Sequence, residues 1–163
     1  MSNKFRNGAE LDKIDMSIVG LLQGNGRMSN NELAQKVGIA ASTCISRVRS
    51  LIDRGVIMGF SAQVDPARFG LTLQVLVSVT IRSGARQRIA EFSQELRELP
   101  EVLQVFFLGG VEDFIVHLAV RDADHVREFV VENLSAHPAV ATTRTSMVFE
   151  HHANRLGNQA VEL

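Results

Sequence analysis

The chain has 163 residues, 45% of them hydrophobic and 21% charged, with a formal net charge of −1. That is the composition of a water-soluble globular protein, with room for one domain with a substantial core or for two small ones. No apolar run reaches the ~18 residues that a membrane helix needs, and the polar start "MSNKFRNGAE" is no signal peptide, so neither a membrane role nor secretion is expected. Cys44 is the only cysteine, which excludes internal disulfides and cysteine-rich zinc sites and fits a reducing cytoplasm. Charge is distributed unevenly. Up to Gly70 nine Lys/Arg stand against six Asp/Glu (+3), and from Leu71 onward eight stand against twelve (−4). Halves of opposite sign suggest two modules with different partners.

The first seventy residues read as helices followed by a short hairpin. "ELDKIDMSIVGLLQGNG" carries Leu11, Ile14, Ile18, Leu21 and Leu22 at helical spacing and stops at Gly24-Asn25-Gly26. A second helix opens with Ser29 as N-cap and Glu32 three residues on, a capping box, and ends at Gly38. After a tight turn comes "AASTCISRVRSLIDRG". On a helical wheel Ala41, Cys44, Ile45, Val48, Leu51 and Ile52 share one arc, and Ser42, Thr43, Ser46, Arg47, Arg49, Ser50, Asp53 and Arg54 fill the other. "VIMGFSAQV" reads as a hairpin or wing around Gly59, and "DPARFG" as a linker.

The polar arc of the third helix is unusual. A solvated face mixes Glu and Lys, whereas this one has three arginines, one acid and a run of small hydroxyls. A helix lying in the major groove cannot aim carboxylates at phosphates. Short Ser and Thr side chains let the backbone approach, and Arg forks onto guanine O6 and N7. Ser42, Thr43, Ser46 and Arg47 lie towards the helix start, where bases are read. Arg49 and Arg54 lie where phosphates are held, and Ser50 shares the DNA-facing arc. Plain structural packing of a helix-turn-helix is the competing reading of the same spacing.

From Leu71 onward the order becomes strand, helix, strand, strand, helix, strand. "LTLQVLVSVTI" alternates strictly, "ARQRIAEFSQELRELP" is amphipathic, "VLQVFFL" and "DFIVHLAV" are joined by "GGVE", and "DADHVREFVVENLSAHP" leads to "VATTRTSMVFEHH". Two βαβ halves predict a ferredoxin-like sheet with both helices on one side, an α+β architecture. The inner strands are apolar in both registers, which suggests that the face without helices is covered by a second copy of the chain. In "LGGVEDF", Gly109 and Gly110 offer backbone N–H groups to a carboxylate, and Asp113 an acceptor for an ammonium. Thr143 and Thr145 add hydroxyls from one face of the last strand. A tight strand connection accounts for the same loop without any ligand.

"LDKIDMSIVGLLQGNGR", "SNNELAQKVGIAASTCISRVRSLIDRGVIMGF" and "VDPARFGL", followed by "GGVEDF" and "TTRTSMVFE", resemble the leucine-responsive/asparagine-synthesis regulator (Lrp/AsnC) family of prokaryotic transcription factors over about residues 11 to 152. The resemblance implies a winged helix-turn-helix domain at 1–70 for double-stranded DNA. It also implies a ferredoxin-like domain at 71–163 that dimerises, with dimers assembling into larger rings such as octamers. It implies control by a small amino acid held without covalent attachment, at Leu108, Gly109, Gly110, Glu112, Asp113, Thr143 and Thr145. One departure is plain. Family members start the recognition helix with Ser-Pro, where this chain has Ala40-Ala41. Either the helix loses its cap, or Ser42 takes over and shortens it by two residues.

No nucleophile-plus-base pattern, metal spacing or phosphate loop is present, so no catalytic residue, metal ligand or resident cofactor is expected. His151 and His152 are adjacent and would point to opposite faces of a strand, His117 reads as a packing histidine, and His125 and His137 as solvated. The alternative from another class is an enzyme, since tetrapyrrole decarboxylases share this two-domain architecture. The acid-poor recognition face argues for the regulator.

Overall fold

A computed structural model describes residues 10–152. The chain divides into two compact units: the described residues 10–62 with His152 belong to the first and Gln63–His151 form the second, so "DPARFG" belongs with the second unit and that division falls eight residues before Gly70.

Among the described residues the first unit has three helices. Helix α1 (Lys13–Gly24) starts on Asp12, whose carboxylate accepts the Asp15 backbone N–H at 2.7 Å. Helix α2 (Asn30–Val37) starts on Ser29, whose hydroxyl accepts the Glu32 N–H, and ends on Gly38 in the left-handed region at φ 72°. Helix α3 (Ala41–Asp53) starts on Ala40, which has no side chain to cap it. Ser42 does not take over the cap, so the helix keeps its full length. Ile18, Leu33, Ala34, Cys44 and Leu51 form the buried centre of the unit. Burial pushes the Cys44 thiol pKa up, so this cysteine packs rather than reacts.

Two expectations change here. Among the described residues the segment after α3 forms no strand ladder. Val56 and Ile57 donate instead to the Leu51 carbonyl and pack into the core, while Met58 stands fully in solvent. Ile45 and Ile52, placed on the buried arc by the wheel, are 51% and 45% exposed. The buried arc is narrower than the apolar pattern, because α1 and α2 cover only the side carrying Cys44, Val48 and Leu51.

The second unit is an antiparallel sheet in the order β2-β3-β1-β4, with β1 (Leu73–Ile81), β2 (Val102–Phe107), β3 (Phe114–Val120) and β4 (Val140–Met147). Helix α4 (Ile89–Glu98), entered through a 3-10 turn at Ser83–Arg88, and helix α5 (Ala123–Phe129), continued by a π-helical turn at Val130–Ser135, supply the helical layer. Val75, Val77, Val79 and Ile81 meet Phe92, Leu96, Phe129 and Leu134 in one core. Strict alternation in β1 made that face legible. A register shift between Val102 and Gln104 in β2 then places Val105 and Phe107 beside the inward-facing Val116 and Phe114, and Phe106 beside Ile115 on the other face.

His125 and His137 are less solvated than expected, and His117 is buried as a packing histidine would be. His125 is buried, its Nδ1 accepting from the Arg121 N–H and its Nε2 lying 3.4 Å from Glu101. His137 stacks on Phe92 at 4.8 Å between ring centroids and pairs with Glu95. His117 lies on the outer sheet face, bonded to Gln74 and edge-on to His151.

Candidate functional site

In the first unit, α3 shows two distinct polar strips. Ser42, Thr43, Ser46, Arg49 and Ser50 are exposed, on the side away from Cys44 and Leu51. Arg47 and Arg54 lie two helical turns apart at the edge of the buried arc, on the side that meets α1. The Arg47 Nη1 donates to Asp12 Oδ2 and to Asp15 Oδ1, each at 2.7 Å, and Arg54 Nη1 lies 3.6 Å from Asp15 Oδ2. The Asp12 carboxyl is held below its usual pKa, first by the Asp15 backbone N–H and then by the Arg47 guanidinium. Arg47 was expected to point out and read a base; here the carboxylates of Asp12 and Asp15 hold its guanidinium, and the side chain is only 30% exposed. Arg54, expected to hold a phosphate, also pairs with α1. The sequence signal for this was present in "LDKID", two acids three residues apart on α1, but a wheel of α3 alone does not contain it.

In the second unit, the loop between β2 and β3 closes through Leu108 N–H to the Asp113 carbonyl at 2.8 Å, while Asp113 N–H donates to the Val79 carbonyl at 3.0 Å. The Asp113 side chain turns inward. Its Oδ2 accepts the Ile81 N–H at 2.7 Å, its Oδ1 lies 3.3 Å from Arg86 Nη2, and it is 7% exposed. Asp113 was expected to receive a ligand ammonium; here its carboxylate is engaged within the protein, completing the pairing of β1 where the register of β1 with β4 breaks between Thr80 and Ile81. Gly109 and Gly110 are exposed, neither has positive φ, and a Cβ on either would meet nothing within 4 Å. No local strain demands glycine here. Among the described residues the N–H groups of Gly109 and Gly110 have no protein acceptor, which leaves two donors at the loop tip. Glu112 lies 3.4 Å from Arg144 of β4. Thr143 and Thr145 are paired with Val79 and Val77, so they share a face of β4 as expected, and it is the helix-covered one. Leu108 is half-buried at the loop base.

No group of three or more His, Cys, Asp or Glu among the described residues is arranged to hold a metal ion, and no described helix is long and apolar enough to cross a membrane.

Residues 11–58 match the winged helix-turn-helix DNA-binding family, and residues 74–156 match the Lrp/AsnC ligand-binding domain. The HTH-type transcriptional regulator AldR of Mycobacterium tuberculosis is 51% identical over 150 residues, covering 92% of this chain and 84% of that protein. The leucine-responsive regulatory protein of Escherichia coli K12 is 34% identical over 158 residues, covering 96% of each. A transcriptional regulator of Neisseria meningitidis, solved as a complex with L-Met, superposes with a TM-score of 0.81 at 32% identity, covering 91% of this chain and 96% of that one.

Proposed function

The chain belongs to the Lrp/AsnC family of transcriptional regulators, and from that premise we propose that it binds specific double-stranded DNA through the exposed strip of α3 and changes that binding when a small amino acid occupies its second unit. Its relatives are regulators, and the decarboxylase alternative is set aside. The observation that carries the reading is the surface of α3. Ser42, Thr43, Ser46, Arg49 and Ser50 are exposed together, and only Asp53 adds a carboxylate to that strip. Hydroxyls of this length suit close approach to base edges and phosphates, and Arg49 supplies charge.

The effector reading rests on the two N–H donors of Gly109 and Gly110 and on the neighbouring carboxylate of Glu112. A free amino acid presents its carboxylate and ammonium on one carbon, so its site needs donors and an acceptor a few ångströms apart. The relative from Neisseria meningitidis was solved with L-Met. The outer sheet face supports a homodimer, since Phe106 is 46% exposed beside Ile115 on that face. Dimers would assemble further, to an octamer, and the protein would work in the cytoplasm. A ligand bridging subunits favours the arrangement it bridges and so alters DNA binding at a distance.

The test is a mobility-shift titration on the gene's own upstream region and on a scrambled fragment, repeated with each natural amino acid. The reading expects preference for the upstream region and a change in affinity with at least one amino acid. Equal binding to both fragments contradicts it.

A further inference from the structure

We infer that Arg47 is a positioning residue of the recognition helix: with Arg54 it neutralises the two carboxylates of α1, so that hydroxyls and Arg49, not Arg47, meet the DNA. The inference deepens the DNA-binding reading and rests on it.

The geometry leaves Arg47 little freedom. Both hydrogens of Nη1 are committed, one to each aspartate at 2.7 Å. Asp15 is nine-tenths buried and Asp12 is half-exposed. Two carboxylates facing two guanidiniums cancel, and the cancellation matters because of what the helix approaches. An unpaired Asp12 and Asp15 beside the recognition helix would repel phosphates from a neighbouring position, within a Debye length of about 8–10 Å. Pulling Arg47 out to a base would expose that pair and leave Asp15 with the more distant Arg54 alone.

The charge count near the groove changes accordingly. From Arg27 to Arg54 the sequence has five basic residues against two acids, but adding Asp12 and Asp15 makes it five against four. Of the two arginines on α3 and the one that caps it, Arg49 is the one on the outward strip. Sequence preference then rests on Ser42, Thr43 and Ser46, and Arg47 acts on the DNA through the carboxylate charge it cancels.

The test is a charge-removal cycle in the full chain: Arg47→Met, Asp12→Asn/Asp15→Asn, and all three together. Each is titrated against the upstream fragment and its scrambled control, and each is melted without DNA. Arg47→Met is expected to weaken both fragments by the same factor, about tenfold, and to leave their ratio unchanged, because it bares two carboxylates rather than losing a base contact. The triple variant is expected to recover most of that affinity at an unchanged ratio. Melting is expected to follow the same order, a loss in Arg47→Met and recovery in the triple variant. This tests the pairing even if wild type binds no DNA, an outcome that would instead end the DNA reading. A specificity ratio that falls in Arg47→Met and stays low in the triple variant overturns the inference and makes Arg47 a base reader. Unequal weakening of the two fragments with no recovery overturns it as well.

Discussion

The carboxylate of Asp113 accepts the backbone N–H of Ile81 at 2.7 Å, closing a gap in the pairing of β1 from the loop that leads into β3. Both groups are buried, so removing the acceptor strands a backbone donor. Asp113→Ala is expected to destabilise the second unit by about 1–3 kcal/mol. Asp113→Asn, which keeps one acceptor oxygen, is expected to lose less. Thermal melting of the two variants checks the order. Equal stability of Asp113→Ala and wild type would return the residue to the role of a ligand acceptor.

The start of α3 permits a gain. Ala40 already has extended φ and ψ of −66° and 145°, the conformation of an N-cap, and lacks only the oxygen. Ala40→Ser is expected to add about 0.5–2 kcal/mol to the first unit by accepting from the first-turn N–H groups. Denaturant titration measures it, and an unchanged midpoint would mean that those groups are already satisfied.

These two sites show what the sequence carried and what it did not. Alternation in β1 and helical spacing in α1 and α2 revealed the architecture, because one face of each is buried and the pattern records it. Ser29 and Gly38 announced both ends of α2. The fates of Arg47 and Asp113 were hidden for a common reason. Each is a charged residue whose partner lies far along the chain, 32 residues away for Asp15 with Arg47 and for Asp113 with Ile81. A wheel or a loop motif treats such residues as turned outward. The shift in β2 was equally silent, since Leu103 is as apolar as Val102 and Val105. The absence of a hairpin after α3 reflects Val56 and Ile57, whose β-branched pattern serves the helical core.

Protonation of His117 offers a test of the outer sheet face. Burial, and then the neighbouring His151, lower its pKa below the usual histidine value. Gln74 bonds its ring, Gln104 is its partner on β2, and His151 is edge-on to it. A depressed folded pKa means that the unfolded chain takes up the proton first. Stability is therefore full above the unfolded value of about 6.5 and falls as pH drops from there towards the lower folded pKa. Melting of wild type between pH 8 and pH 5 is expected to decline, and His117→Gln to flatten that part of the decline. An identical slope in the variant would place the titrating group elsewhere.

On the recognition strip, Arg49→Ala is expected to weaken specific and scrambled DNA alike and to reduce the salt slope by about one unit per site. Ser46→Ala is expected to act on the specific fragment alone, by about 1 kcal/mol. Titrations at several salt concentrations separate the two. If Ser46→Ala weakened both fragments equally, the hydroxyl would be holding a phosphate.

The most direct measurement is the affinity of the full chain for its own upstream DNA and for a scrambled fragment, by fluorescence anisotropy, with and without each natural amino acid. The account predicts at least about a thousandfold preference for the upstream fragment, and one or more amino acids that shift the specific affinity about 5–150-fold. Equal affinity for the two fragments, unmoved by all of the amino acids, would contradict it.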